Sequence, residues 1–149
     1  MRILCPIIGG SGVEIYHQRL AAGLAAIGIE TEIVKFSSRW EYFPWLLNWA
    51  KRLLIPSARQ ADILHTNVDY GQHFRWDTLP WVVTLHHCSL DDEYATFISA
   101  ISRVHHRFFL KPSVRNSLMN AHRVIAVSQH TRQVMNQVFQ RELPSRRCA

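Results

Sequence analysis

The chain has 149 residues, of which 48% are hydrophobic, and carries 17 Lys and Arg against 11 Asp and Glu for a formal charge of +6. This is the size of one ordinary domain with enough apolar material for a core, which excludes a disordered chain, and the positive balance favours anionic partners such as phosphates, nucleotide sugars, nucleic acid or acidic headgroups. Cys5, Cys88 and Cys148 have neither zinc nor disulfide-framework spacing, and no stretch reaches the ~20 apolar residues of a spanning helix, so a cytoplasmic protein, peripheral at most to the inner face of a membrane, is expected.

Ile3, Leu4, Ile7 and Ile8 form a compact apolar run that ends at Gly9, Gly10 and Gly12, after which Val13, Leu20, Leu24 and Ile27 recur with helical spacing. That order predicts a strand, a glycine turn and a helix. Gly28 stands where a left-handed helix cap is expected, and Ile29, Thr31 and Ile33 alternate with Glu30 and Glu32 as in a strand, completing a βαβ unit. Pro44 is placed to open a helix whose Trp45, Leu46, Trp49, Ala50, Leu53 and Leu54 face the sheet, with Asn48, Lys51 and Arg52 on the opposite arc.

Asp62 to Thr66 and Trp81 to Leu85 read as short buried parallel strands. Asp91 and Asp92 open an amphipathic helix carrying Tyr94, Phe97, Ile98, Ile101, Val104 and Phe108, and Lys111 and Pro112 restart a shorter one. Val124 to Val127 is a last strand, followed by Ser128 as the cap of a helix with Val134, Met135, Val138 and Phe139. The expected fold is therefore α/β: a Rossmann-like, doubly wound and mainly parallel sheet flanked by helices over residues 1–139, with residues 140–149 a polar, poorly ordered tail.

Three glycines within Gly9-Gly10-Ser11-Gly12, between a strand and a helix, suit an anion held by backbone N–H groups or a close approach of ligand to main chain. Any one glycine is equally explained by a tight turn. The dinucleotide fingerprint fails at Ile15, the second strand ends in Val34 and Lys35 without an acidic ribose partner, and no GK[ST] sequence marks a P-loop. His87 and Cys88 beside His86 do not make a metal set, because adjacent residues do not readily converge on one ion, so no metal is expected. Nucleic-acid binding has no recognition-helix pattern or stacking motif behind it.

Five fragments in order carry a family resemblance. Gly9-Gly10-Ser11-Gly12-Val13-Glu14 looks like a "GGxE"-type turn, and the stretch from Leu20 to Val34 is similar to an "L-A-x-x-L-x-x-x-G-H-E-V-x-V" helix and strand, with Ile29 at the His position. Ala61-Asp62-Ile63-Leu64-His65 looks like "D-V-V-H", Pro80 to His86 like "P-x-V-x-T-x-H", and Ala121 to Ser128 like "A-D-x-V-I-A-V-S". On these the chain resembles the amino-terminal, acceptor-side domain of retaining GT-B glycosyltransferases of family 4.

The resemblance implies transfer of a sugar from a nucleotide-sugar co-substrate to a sugar or lipid-linked acceptor, without a further cofactor. It implies that Gly10, Ser11 and Gly12 make backbone contacts to the donor diphosphate, and that His86 lies near the transferred sugar. His65 and Asn67, leaving the third strand at the same edge, are candidates for acceptor contacts, with a structural polar cluster the equal alternative. A donor domain with an E-x7-E motif should follow the first domain. The last residues, Arg141 to Ala149, do not look like that continuation, so the isolated chain is expected to be inactive and to need a donor domain, as in a truncated or split enzyme. The competing expectation is a non-catalytic nucleotide- or phosphate-ligand-binding module.

Overall fold

A computed structural model describes residues 1–9, 12–86 and 99–139. It contains a five-stranded sheet in the order β2-β1-β3-β4-β5. The strands are β1 (Arg2–Ile8), β2 (Glu30–Phe36), β3 (Ile63–Asn67), β4 (Trp81–Leu85) and β5 (Arg123–Ala126). Each neighbouring pair is parallel, so every connection crosses over the sheet, and the result is the α/β Rossmann-like architecture expected from the alternating pattern.

Helix α1 (Gly12–Ala25) makes the first crossover. It ends in a Schellman-type turn in which Gly28 takes φ +76° and the Ile29 N–H donates to the Leu24 carbonyl at 3.0 Å, as the glycine after the last apolar residue foretold. Helix α2 (Leu47–Leu54) and the single turn α3 (Gly71–Phe74) flank the opposite face together with α5 (Lys111–Asn120). Chain direction then returns through β5 to α6 (Gln129–Phe139), whose first turn is capped by Ser128 Oγ accepting from Thr131 N–H at 3.0 Å.

The two faces of the sheet differ in kind. Alternation of side chains along the strands places Leu4, Leu64, Thr66, Trp81, Val83, Leu85 and Val124 on one face. Leu47 of α2, Phe74 of α3, and Val114 and Leu118 of α5 close over them in one continuous apolar core. Within it the Trp81 indole N–H donates to Thr66 Oγ1 at 2.9 Å, pairing two buried polar groups. Gly71 is required there, because a Cβ would overlap that same hydroxyl oxygen. The other face carries Cys5, His65 and Thr84, and the residue that α1 buries against them is His17.

Three expectations are corrected by the structure. Trp45, Leu46, Trp49, Leu53 and Leu54 do not face the sheet; they are exposed, Trp49 at 85% and Leu53 at 86%. Helix α2 instead turns its Leu47–Ala50–Lys51 arc inward, since the Lys51 ammonium lies over the Trp76 ring at 5.2 Å from its centroid and donates to the Arg75 carbonyl. Lysine therefore occupies an inner position that apolar periodicity assigns to tryptophan. Val104 and Phe108 are likewise exposed.

Nor does the chain restart at Lys111 and Pro112. Helix α4 (Ala100–His105), capped by Ser99, continues through a π-helical turn (His106–Leu110) directly into α5. The Lys111 N–H reaches back to His106, and the widened turn accommodates the proline that an unbroken α-helix would reject. The proposed helix start at Asp91 and Asp92, the residues Tyr94, Phe97 and Ile98, and the tail 140–149 lie outside the described residues.

Candidate functional site

In a parallel sheet of order 2-1-3-4-5 the two strands whose crossovers leave in opposite directions are β1 and β3, and the crevice beyond their carboxyl ends is where such folds bind ligands. A cavity of about 110 Å³ opens there. Ile8 and Val13 form its apolar side, and Glu41, Asn67, Asp69 and Tyr70 form its polar side. The Asn67 amide donates to Asp69 Oδ2 at 3.0 Å, a local clasp that holds both side chains at the strand end. Burial raises the Glu41 carboxyl, with His105 pulling it down and Asp69 pushing it up, and burial also raises the Tyr70 phenol. The polar side thus offers carboxylate, amide and phenol groups suited to hydroxyls.

The glycine turn leaves β1 beside this cavity. Gly9 continues the sheet pattern by donating to the Phe36 carbonyl at 2.8 Å, and exposed Gly12 starts α1, whose dipole gives that end a partial positive charge. Gly10 and Ser11 lie outside the described residues. Lys35 Nζ at the end of β2 meets the Glu14 carboxylate at 2.7 Å, so an ion pair borders the turn.

His86 follows the last residue of β4 and is half-buried. Its ring meets Tyr16 of α1 edge-on at 4.5 Å between centroids, and its carbonyl accepts from Thr131 Oγ1 at 3.4 Å, linking the strand end to the cap of α6. His86, Gly12 and Asn67 therefore share the carboxyl edge of the sheet, as the strand-end positions in the sequence imply.

His65 lies below that edge, within reach of the His86 charge but not on the cavity wall. It lies beneath α1 at 4% exposure, with Nε2 2.7 Å from Thr84 Oγ1 and Nδ1 3.9 Å from Cys5 Sγ. This is the polar-cluster position. Beside it, His17 is fully buried, its ring 5.2 Å from that of His65. His17 Nδ1 lies 2.8 Å from the Val13 carbonyl, which can only accept, so Nδ1 carries the hydrogen and Nε2 carries a lone pair; that Nε2 has no hydrogen-bond partner among the described residues. A buried polar atom left in this way costs about 1–3 kcal/mol.

Burial dominates the protonation of the cluster. It pushes the Cys5 thiol up to about 12 and His65 down to about 3, the latter helped by the positive forms of His17 and His86, and it lowers His17 against the raising effect of the Val13 carbonyl. In the tautomer with its hydrogen on Nε2, His65 donates to Thr84 Oγ1 and turns the Nδ1 lone pair toward the protonated thiol; in the other, Nδ1–H faces the sulfur and the Thr84 hydroxyl donates to Nε2. Spacing along the chain singles out His65 but not Cys5 or His17, which meet it only when β1, α1 and β3 assemble. The available signal was parity: Cys5, His65 and Thr84 are polar residues in the centres of three neighbouring apolar strands, all on one face.

No protein-family model matches the chain, and no curated protein matches its sequence. Among the described residues no helix is long and apolar enough to cross a membrane.

Proposed function

We propose that the chain is the acceptor-side half of a retaining, nucleotide-sugar-dependent glycosyltransferase. The observation that carries the reading is the convergence of a sugar-suited cavity, the start of α1 and His86 on one edge of the sheet, at the crevice where the fold type binds ligands. The five resemblance fragments add to it, since they coincide with the β1–α1 turn, the α1–β2 passage, β3, β4 and the β5–α6 cap.

In this reading the Asn67–Asp69 clasp and Glu41 hold acceptor hydroxyls, and the N–H groups around the glycine turn approach the donor diphosphate. His86 sits beside the transferred sugar. A donor domain supplies the facing wall, which neutralises the leaving diphosphate and excludes water; without it the reacting groups are not held together and transfer is negligible. A lipid-linked acceptor suits the exposed Trp49 and Leu53 beside Arg52, a face able to rest on acidic headgroups.

The test is amide NMR of the chain titrated with octyl glucoside, octyl mannoside, UDP-glucose and GDP-mannose, followed by a transfer assay after adding a separately produced donor domain. Shifts concentrated at Gly12, Asn67 and His86, and product formed only with the donor domain, are expected. Shifts without product would favour a non-catalytic nucleotide- or phosphate-binding module. An unresponsive sheet edge with all four probes would remove the reading.

A further inference from the structure

We propose that Cys5, His17 and His65 form a buried site for a thiophilic transition-metal ion, zinc or copper(I), which clamps α1 onto the sheet. One donor comes from each of β1, α1 and β3, and their ligand atoms all lie within 4.8 Å of one another. In a tetrahedral zinc site, with Zn–S about 2.3 Å and Zn–N about 2.0–2.1 Å, a sulfur and a nitrogen stand about 3.5 Å apart. The Cys5 Sγ to His65 Nδ1 distance of 3.9 Å is within a few tenths of an ångström of that edge.

The orientation of both imidazoles supports the same assignment. A metal-bound histidine characteristically donates its outer N–H to a protein oxygen, which fixes the ring and aims the other lone pair at the ion. His17 does so through Nδ1 to the Val13 carbonyl, and His65 has Nε2 2.7 Å from Thr84 Oγ1, an oxygen that accepts from it in the tautomer metal binding at Nδ1 requires. The remaining nitrogens are His17 Nε2, buried and without a partner, and His65 Nδ1, which faces the sulfur. An ion satisfies the first and replaces a long sulfur contact for the second.

One thiolate and two neutral imidazoles are borderline-to-soft donors, which select zinc or copper over magnesium or calcium. Binding breaks the Cys5 S–H bond, releases its proton to solvent and forms the sulfur–metal bond, with no change of oxidation state. Copper(I) would leave the buried site neutral, and zinc would leave it with one positive charge. The inference departs from the expectation of no metal and stands apart from the sugar-transfer reading, because these three residues do not line the β1–β3 cavity.

The purified full chain, stripped with chelator, would be titrated with Co(II) as the zinc probe and, under reducing anaerobic conditions, with Cu(I) against a chromogenic chelator. A sulfur-to-cobalt charge-transfer band with tetrahedral visible bands saturating at one equivalent, or removal of one equivalent of Cu(I) from the chelator, is expected. The signal should vanish in Cys5→Ser and persist in Cys88→Ser and Cys148→Ser. If Cys5→Ser does not fold, His17→Phe, which fills the space without a ligand, should show the same loss. Absence of stoichiometric binding of both ions, or binding unchanged by Cys5→Ser or by His17→Phe, overturns the proposal.

Discussion

The two faces of the sheet are built from strands of similar composition, yet one is closed by hydrocarbon and the other by imidazole. Beneath α2, α3 and α5 the strands contribute Leu4, Leu64, Trp81, Val83 and Leu85, and the helices answer with Leu47, Phe74, Val114 and Leu118. Beneath α1 the central positions are Cys5, His65 and Thr84, and the helix answers with His17. A domain that needed only stability would fill both faces alike, because apolar contact is the cheaper way to hold a helix. The difference teaches that the first face holds the fold together while the second keeps polar groups in fixed orientation under the edge where His86 and Tyr16 meet.

The largest test of that division is Trp81→Ala. It removes a fully buried ring from the apolar face and strands the Thr66 hydroxyl, so a loss of about 3–5 kcal/mol in denaturant-unfolding stability is expected. A loss near zero would mean that this face is not the mainstay of the fold.

The histidine face should reveal itself next, through acid. His65 has its folded value lowered from 6.5 to about 3, while Cys5, His17, Tyr16 and His86 surround it from β1, α1 and the end of β4. Below 6.5 the unfolded chain binds a proton that the native state refuses, so stability falls as pH drops and levels out only near the folded value. The slope from this group is shallow at neutral pH and is expected to reach about 1.4 kcal/mol per pH unit well below 6.5, measured by urea unfolding in chelator down to about pH 4.5. His65→Asn should flatten the slope; an unchanged slope would assign the acid sensitivity to other groups.

Much of this fold was legible along the chain because short apolar runs bounded by glycine, proline and polar residues are the mark of buried parallel strands. The run Trp81 to Leu85 is β4 itself, and Gly28 and Ser128 cap the helices that the pattern assigned to them. Periodicity failed where a polar residue was the inward one. His17 and Lys51 both turn inward, each with a nitrogen held by a carbonyl that no apolar count registers, and Trp49 and Leu53 turn outward as a result of the second. Strand-end position placed Asn67 and His86 at the carboxyl edge of the sheet, whereas the grouping of Cys5 with His17 and His65 depends on strand order, which sequence spacing does not express.

A smaller effect distinguishes the edge from either face. Ser128→Ala removes the acceptor for the Thr131 N–H and loosens the α6 start that Thr131 ties to the His86 carbonyl, for an expected loss of about 1 kcal/mol by thermal or urea unfolding. A loss several times larger would show that the α6 cap anchors the end of β4 and not merely its own helix.

The smallest stability effect belongs to α2, whose outward arc belongs to neither face. Trp49→Ser and Leu53→Ser should each change unfolding free energy by no more than about 0.5 kcal/mol, since these side chains are 85% and 86% exposed and lose little on removal from the folded chain. Their effect should appear instead in sedimentation with vesicles containing acidic lipid. There the paired change should weaken binding severalfold, because bilayer contact buries apolar area that the sheet does not. Substantial destabilisation would put these residues back in the core; equal vesicle binding would leave the exposed aromatic arc without a membrane role. Either result bears on where the acceptor comes from without disturbing the contrast between the apolar and imidazole faces, since Leu47, the residue that docks α2, is untouched.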